Sequence, residues 1–538
     1  MASFEWAEVA PTQWVAADGP PKPFVDGAFT FIGGEKKERT GEMIDVTSPI
    51  IDAATGKRAV IGTLAQMTSD EAMRAAEAAS KAWDDGQGAW PRATAADRVA
   101  ALEAALAAMT EKRAEIVDVL LWEICKTSAD AAKEFDRTMD YAKASIAALK
   151  ELDASISQWQ TVSGVAGKTR RGPVGRILFL APFNYPLNEM YAMLIPALLC
   201  GNVVTMKLPT IGGQCHLLTV DAFATCLPPG VVNFVSGSGR KCCPPIMKSG
   251  LVDMLGFIGG SKACDALIGD HPRPHRLKVF SQLEGKNMGI VLKDADLDVA
   301  ADQCCAGSTS YNGQRCTAIK LVYVHKSVAG AFLDKFKAKV AAKKVGLPWA
   351  EGVALTPLPE TSKPGYLKEL VADAVAKGAA VANAAEGGGG CSSGSLITPP
   401  IVYPVTKDMR LFHEEQFGPV LPVAVFEDLA EVDGALRKSW NGQQAAIFTN
   451  DPAGEAATCV DMLATVVGRI NVNVQCSRGP DSFPFAGRRS SAMGTMSIAE
   501  ALRGFSIETV LAYPAKSAPT KAVVDAAEAT SAFLAPLV

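Results

Sequence analysis

Five apolar segments that alternate with helical patterns between residues 174 and 283 constrain the fold most. They are VGRILFL (174–180), NVVTMKL (202–208), VVNFVS (231–236), MLGFI (254–258) and LKVFSQL (277–283). Largely apolar strands without regular polar alternation are buried on both faces, which is typical of a parallel sheet covered by helices. Since crossovers between parallel strands are right-handed, the pattern predicts a doubly wound α/β sheet.

A second alternating series follows and predicts a second α/β unit with its own sheet. Its expected strands lie at 320–325, 396–403, 420–426, 445–450 and 469–474, with helices between them. The segment EGGGGCSSGS (386–395) is expected to be an exposed, flexible loop. Residues 152–172 fit neither unit and predict an extended, polar hairpin. A ligand is expected in the crevice between the two units.

Composition and charge exclude several classes of protein. The 538 residues are 48% hydrophobic with a net charge of −4, which does not suit a protein that coats nucleic acid. The uncharged stretch between Glu189 and Lys207 is broken by Pro196 and Gly201, so no membrane span is expected. The N-terminus has no secretory h-region. We therefore expect a cytoplasmic protein without nucleic-acid or membrane partners.

Cysteine and histidine spacing predicts neither a disulfide scaffold nor a metal site. Thirteen cysteines include no Cys-x-x-Cys pair, and free thiols are typical of a reducing cytosol. His271 and His275 lie in the proline-rich stretch HPRPH, which cannot place both rings on one helix face. No metal is expected.

Two turns that follow predicted strands carry candidate cofactor contacts. Lys207 lies at the end of NVVTMKL and Thr210 comes just after it, where an ammonium and a hydroxyl could hold a phosphate. An acidic residue on this turn would instead favour a free ribose hydroxyl. The alternative is an ordinary surface lysine at a strand end. Gly237 lies in GSGRKC, a G-x-G without the third glycine of a dinucleotide fingerprint.

Three residues are candidates for the chemistry, and each has a structural alternative. Cys316 lies in the polar turn YNGQRCTA, and the adjacent Arg315 is expected to lower its thiol pKa. Glu284 ends a strand in QLEGKN, where a carboxylate can face a crevice. Asn184, in APFNYP, offers an amide donor for a developing oxyanion. Taken singly, they also fit a core thiol, a surface carboxylate and a turn asparagine.

The blocks PFNYPLN, EGKN, NGQRCTA and EEQFGPV, in this order, resemble the aldehyde dehydrogenase superfamily over about residues 30–515. The resemblance implies that Cys316 attacks the aldehyde. It also implies that Asn184 and the Cys316 N–H hold the oxyanion and that Glu284 activates water. Glu415 would hold the nicotinamide ribose beside Phe417. The full cofactor-binding set on this reading is Pro182, Lys207, Thr210, Gly237, Gly259, Glu415 and Phe417.

A narrower resemblance is to the NADP-dependent, non-phosphorylating glyceraldehyde-3-phosphate dehydrogenases. It rests on Arg137, Tyr185, Arg315 and Arg478, whose equivalents surround a substrate phosphate. It implies oxidation of D-glyceraldehyde 3-phosphate to 3-phosphoglycerate with NADP by a homodimer or homotetramer. Two alternatives remain open. One is a dehydrogenase of another acidic aldehyde, such as a semialdehyde, and the other is a catalytically silent structural protein.

The resemblance also implies domain bounds and exposes departures. A cofactor-binding domain is expected at 30–151 and 173–284, a catalytic domain at 285–474, and an oligomerisation or bridging element at 152–172 and 475–515. The tail, 516–538, is expected to be loose, with one short helix near 522–533. The segment FIGGSK (257–262) replaces the usual Phe-Thr-Gly-Ser-Thr turn, so the hydroxyls that would contact the pyrophosphate are shifted or lost.

Overall fold

The computed structural model describes residues 4–9, 13–392 and 394–537. The first sheet has five parallel strands and an antiparallel edge strand. In spatial order they are Val232–Val235, Val203–Lys207, Arg176–Leu180, Met254–Ile258, Lys278–Gln282 and Ala492–Met493. The strand order reverses between Arg176–Leu180 and Met254–Ile258. Ligands of doubly wound sheets bind at the carboxyl ends of the strands on either side of such a switch point.

Apolar side chains on both faces of this sheet enter separate cores. Ile177 and Phe179 pack into one core, whereas Leu178 between them packs into another. This explains why the strand lacks polar alternation. The helices that complete these layers are Ser69–Trp83, Ala95–Glu111, Arg113–Glu123, Ser128–Ile156, Pro186–Leu199, Gln214–Leu217, Val220–Cys226, Gly239–Lys248 and Ser261–Asp270.

The second sheet has seven strands, of which all but the first-named edge strand are parallel to their neighbours. In spatial order they are Ala380–Val381, Ile401–Tyr403, Leu421–Phe426, Ile319–His325, Asn287–Val291, Gln444–Phe448 and Arg469–Val472. Its helices are Leu297–Thr309, Ala329–Ala341, Lys363–Ala376, Leu429–Lys438 and Ala456–Leu463. Two doubly wound α/β units are therefore present, as the sequence predicts.

The predicted hairpin forms a third, three-stranded sheet. Strand Val165–Pro173 pairs with Gln160–Val162 on one side and with Ser506–Pro514 on the other. The preceding helix runs on to Ile156, so the hairpin begins later than residue 152.

The expectation of a loose tail is wrong. Residues Ala518–Thr530 form a helix, and Glu528 pairs with Lys168 at 2.6 Å. The Leu537 N–H donates to Asp153 Oδ2 at 3.0 Å. These contacts therefore dock the tail on the third sheet and on the end of helix Ser128–Ile156.

The glycine-rich segment is only partly an exposed loop. Residues 386 and 387 are exposed, but Gly390–Ser392 is a strand between Ala7–Glu8 and Leu396–Thr398. A Cβ on Gly390 would lie 2.2 Å from Val9 Cγ2, so the N-terminal strand can approach only a glycine here. Residue 393 lies outside the described residues.

The remaining strands pair locally near the N-terminus and in the second half of the chain. They are Gln13–Trp14, Phe29–Ile32, Glu35–Glu38, Met43–Asp52, Lys57–Ala65, Lys344–Val345, Val353–Leu355, Asn441–Gly442 and Arg488–Arg489. No helix within the described ranges is long and apolar enough to cross a membrane.

Candidate active site

A cavity of about 1200 Å³ draws its lining from both α/β units. It includes the residues that follow strands Arg176–Leu180 and Met254–Ile258, the two strands at the switch point. Most of the sequence-predicted site residues line it together: Arg137, Pro182, Asn184, Tyr185, Gly259, Glu284, Arg315, Cys316, Glu415, Phe417 and Arg478. Lys207, Thr210 and Gly237 are not part of this lining.

Cys316 lies in a short turn between helix Leu297–Thr309 and strand Ile319–His325. Its carbonyl oxygen accepts hydrogen bonds from Lys320 Nζ and Asn287 Nδ2, each at 2.7 Å, which fixes the backbone of the turn. Burial raises the pKa of the thiol, and the charge of Glu189 raises it further. The thiol is therefore the dominant form at neutral pH.

The expectation that Arg315 lowers the pKa of Cys316 is wrong. The guanidinium turns away and donates from Nη2 to Gly307 O at 3.2 Å and to Gln475 Oε1 at 3.3 Å. The groups that do favour the thiolate are Lys320 and Gln443, but burial outweighs them. Adjacency in sequence does not place two side chains on the same side of a turn.

Asn184 is buried in the turn between strand Arg176–Leu180 and helix Pro186–Leu199. Its Nδ2 donates to Gln314 O at 2.8 Å, which orients the amide beside the Cys316 turn. The amide carries a second N–H, so one donor remains for an oxyanion.

Glu284 lies beside the FIGGSK turn. Its Oε1 accepts hydrogen bonds from Ser261 N at 2.8 Å and from Ser261 Oγ at 3.1 Å. Gly260 leaves room for this contact, since a Cβ there would lie 3.3 Å from Glu284 Oε1. Ser261 belongs to the FIGGSK segment, which departs from the family pattern. Its hydroxyl therefore donates to the Glu284 carboxylate.

Glu415 and Phe417 come from the second α/β unit and line the same cavity as Glu284. Glu415 Oε1 accepts from Gly285 N at 3.0 Å and pairs with Lys320 Nζ at 2.8 Å. Lys320 thus connects the Glu415 carboxylate to the Cys316 carbonyl. The ring of Phe417 meets that of Phe183 edge-on, with centroids 5.9 Å apart.

Two of the three cavity arginines are paired with carboxylates. Arg137 binds Asp481 through two hydrogen bonds of 2.8 and 2.6 Å. Arg478 bonds to Glu189 and lies 3.4 Å from Asp481. Burial opposes the charge of Arg478, but Glu189, Tyr141 and Asp481 together raise its pKa.

Sequence reasoning missed both carboxylate partners. Asp481 lies three residues after Arg478, a spacing that could have suggested an ion pair. Glu189 lies 289 residues from Arg478 and carries no such signal. Sequence reasoning also missed the buried ion pair of Lys126 and Glu134. The ammonium of Lys126 lies 3.2 Å from the centroid of the Tyr185 ring.

The predicted cofactor turn offers an uncompensated cation. Lys207 is 5% exposed, and its Nζ bonds to Leu208 O. It pairs with no carboxylate within the described ranges, and burial lowers its pKa. Gly237 has a φ of +90°, and a Cβ there would lie 2.5 Å from Gln66 Oε1. A buried lysine and a tight glycine turn at a strand end fit a phosphate-bearing cofactor.

Comparisons with known proteins agree with this geometry. The aldehyde dehydrogenase family model matches residues 37–510. An NADP-dependent glyceraldehyde-3-phosphate dehydrogenase from Streptococcus equinus is 34% identical over 87% of this chain and 94% of its own. A 3-sulfolactaldehyde dehydrogenase from Priestia aryabhattai is 27% identical over 72% and 80%.

A solved structure has the same fold and a similar length. It is an NADP-dependent glyceraldehyde-3-phosphate dehydrogenase from Bacillus halodurans C-125, complexed with NADP. It is 30% identical with a TM-score of 0.80, and the match covers 91% of this chain and 99% of the other. The family match spans both α/β units and includes Cys316, Glu284 and Asn184, and this chain therefore belongs to the aldehyde dehydrogenase family.

Proposed function

We propose that this protein oxidises D-glyceraldehyde 3-phosphate to 3-phosphoglycerate with NADP, without incorporating inorganic phosphate. The observation that carries the proposal is one cavity. Arg137, Tyr185, Arg315 and Arg478 line the same space as Cys316. A cavity that holds a thiol together with three guanidinium groups and a phenol suits an aldehyde that carries a dianion.

Unused donors in this cavity support a phosphate as the recognised group. Arg478 Nη2 and Arg315 Nε are buried, and neither meets an acceptor in the described part of the chain. Buried donors without partners are costly, so a bound oxyanion would relieve both. An apolar aldehyde would leave them unpaired.

The residues of the cavity divide the chemistry among themselves. The Cys316 thiolate forms a bond to the aldehyde carbon, and the carbonyl electrons move to its oxygen. The second N–H of Asn184 and the backbone N–H of Cys316 stabilise that oxygen. NADP, when bound, supplies the hydride acceptor, and a thioester on Cys316 remains.

Glu284 completes the turnover in this proposal. Its carboxylate leaves Ser261 and takes a proton from a water, which adds to the thioester carbon. The carbon–sulfur bond then breaks, the acid leaves and the Cys316 thiolate returns. Since water rather than phosphate resolves the thioester, no acyl phosphate forms.

NADP rather than NAD is proposed because of Lys207. A buried ammonium without a carboxylate partner suits a 2′-phosphate, with the exposed Thr210 hydroxyl beside it on the same turn. The Streptococcus and Bacillus relatives are both named as NADP-dependent enzymes.

A second candidate substrate is another acidic aldehyde, such as a semialdehyde. Asp481 accepts from Arg137 at Nε and Nη2, whereas Arg315 and Arg478 each keep a buried donor without a partner. Two guanidinium groups suffice for a monoanion, and one relative is named for a sulfonated aldehyde. A silent structural protein is disfavoured because Cys316, Glu284 and Asn184 are all retained.

The third sheet is proposed as an oligomerisation element of a homodimer or homotetramer. Val162, Val165, Ile507 and Val510 are exposed on its strands, which leaves apolar surface for a second subunit. Sedimentation at micromolar concentration should show a dimer or larger species, and a monomer alone would contradict this assignment.

An aldehyde panel tests the proposed substrate and cofactor together. Formation of NADPH or NADH should be followed with glyceraldehyde 3-phosphate, unphosphorylated glyceraldehyde and succinic semialdehyde in buffer without phosphate. We expect the highest kcat/KM with glyceraldehyde 3-phosphate and NADP. A higher value with the semialdehyde would favour the second candidate, and no activity with any aldehyde would favour a silent protein.

A further inference from the structure

A second cavity has a volume of about 320 Å³. It shares no lining residue with the cavity that contains Cys316. Its walls come from the start of helix Ala95–Glu111, the end of helix Ser128–Ile156, strand Val165–Pro173 and the C-terminal tail. We propose that this cavity binds a small phosphate monoester with an apolar body, at a site separate from the active site.

The lining carries more positive than negative charge. Four arginines line the cavity, namely Arg92, Arg98, Arg170 and Arg171. Asp153 is the one carboxylate among the described lining residues. Arg170 pairs with Asp153 at 2.6 Å, and Arg171 pairs with Glu508 at 2.6 Å. Arg92 and Arg98 pair with no carboxylate anywhere in residues 4–9, 13–392 or 394–537. Two uncompensated guanidinium groups match the charge of one phosphate dianion.

Arg98 is the strongest sign of a missing anion, because it is 9% exposed. Its Nε donates to Leu199 O at 2.8 Å and its Nη1 to Ala93 O at 2.6 Å. These bonds cap the end of helix Pro186–Leu199 but use only part of the guanidinium. Its Nη2 meets no acceptor within the described residues.

The electrostatic surroundings of Arg98 also favour a bound anion. Burial lowers its pKa by more than the nearby Cys200 and Asp97 raise it, and the charge of Arg170 makes a smaller contribution that lowers it further. A buried cation without a counter-ion is expensive. A bound dianion would compensate both Arg98 and the exposed Arg92.

The other walls of the cavity are apolar and include an aromatic side chain from the tail. Trp83, Leu149, Leu152, Ile156 and Phe533 supply this surface. A cavity of this volume is at the small end of those that hold organic ligands. The ligand class is therefore an organic phosphate with a compact apolar group rather than a free inorganic ion.

The C-terminal extension supplies part of this site. Phe533 packs over Gly172, where a Cβ would lie 3.5 Å from its ring. The carbonyls of Phe533 and Ala535 accept hydrogen bonds from Arg170, at 3.2 and 2.8 Å. These residues lie beyond the family match, which ends at residue 510. Phe533, which supplies one wall of the site, thus comes from outside the matched region.

Titration calorimetry of the full-length protein with phenyl phosphate tests the proposal. We expect the tightest-bound molecule, one per chain, to occupy this cavity rather than the active site, and we expect Arg92→Gln to weaken that binding about 10- to 100-fold through loss of a charge-assisted contact. Arg98→Met should abolish binding. Because Arg98 also caps a helix, the exposed Arg92 keeps the test independent of folding.

Matched controls separate this cavity from the active site. Arg74→Gln, at an exposed arginine outside both cavities, and Arg137→Gln, in the active site, should leave this tighter phenyl phosphate binding unchanged. Phe533→Ala should weaken phenyl phosphate but not inorganic phosphate. Unchanged binding in Arg92→Gln, or loss of binding in Arg137→Gln, would overturn the proposal. Equal affinity for inorganic and phenyl phosphate would overturn the apolar part of the ligand class.

Discussion

The two arginine-lined cavities differ in how their positive charge is balanced. In the active-site cavity, Arg137 and Arg478 are held by Asp481 and Glu189. In the second cavity, Arg92 and Arg98 have no carboxylate partner among the described residues. Carboxylates that hold a guanidinium fix its orientation but reduce the charge available to a ligand. The positive charge that a cluster of arginines offers to a ligand thus depends on its carboxylate partners as well as on the number of arginines.

This difference assigns distinct tasks to the two cavities. Fixed guanidinium groups position a reacting molecule, which suits the space around Cys316, where an aldehyde carbon must approach sulfur closely. Unbalanced guanidinium groups favour any anion of the right size. The first cavity is therefore interpreted as a site of chemistry and the second as a binding site alone.

The largest expected effect comes from removing the thiol of the first cavity. Cys316→Ala should lower NADPH formation by roughly 10⁴-fold or more, since no covalent adduct can form. Cys226→Ala, at another half-buried thiol, is the matched control and should retain activity. Steady-state and rapid-mixing absorbance at 340 nm measure both. Substantial turnover by Cys316→Ala would place the nucleophile elsewhere.

Glu284→Ala should separate the two halves of the reaction. Water activation is needed only after the thioester has formed, so a burst of about one NADPH per site should persist. Steady-state turnover should fall about 10²- to 10⁴-fold. Rapid mixing with glyceraldehyde 3-phosphate measures the burst. Loss of the burst, or normal turnover, would show that another group is the base.

The pH dependence of the burst tests how Cys316 is tuned. Burial raises the thiol pKa, so the reactive thiolate is the minor form at neutral pH. Its fraction, and with it the burst rate, should rise about tenfold per pH unit from pH 7 until the raised pKa is reached. A burst rate that is flat above pH 7 would mean a lowered pKa, as Arg315 alone had suggested.

Asp481→Asn makes the first cavity more like the second. Loss of this carboxylate leaves Arg137 unpaired, so inorganic phosphate should become a tighter competitive inhibitor, by about tenfold. Asp136→Asn is a matched control, because Asp136 binds Arg113 in the same bidentate manner on the surface. An unchanged inhibition constant in Asp481→Asn would contradict the proposed balance of charge.

Much of the fold could be predicted from the sequence, because buried parallel strands and their helices carry local signals. The apolar segment 174–180 contains the strand Arg176–Leu180, whose neighbouring side chains pack into two separate cores. The tail could not be predicted in the same way. Its docking depends on contacts such as that between Lys168 and Glu528, which are 360 residues apart.

The site was predictable as a set of residues but not as a set of contacts. The motifs selected Cys316, Glu284 and Arg137, and the structure brings them to one cavity. Spacing could not reveal that Arg137 meets Asp481, 344 residues away. The adjacency of Arg315 and Cys316 in sequence also led to a wrong prediction of the thiol pKa, since tertiary packing sets the direction of a side chain on a turn.

Arg137 gives the most direct test of the central claim that the first cavity recognises a phosphorylated aldehyde. The measurement is the ratio of kcat/KM for glyceraldehyde 3-phosphate to that for unphosphorylated glyceraldehyde, in the unmodified protein, in Arg137→Gln and in the surface control Arg113→Gln. Phosphate recognition by Arg137 predicts a ratio well above one that falls about 10- to 100-fold in Arg137→Gln only. A ratio that stays the same in all three proteins would contradict it.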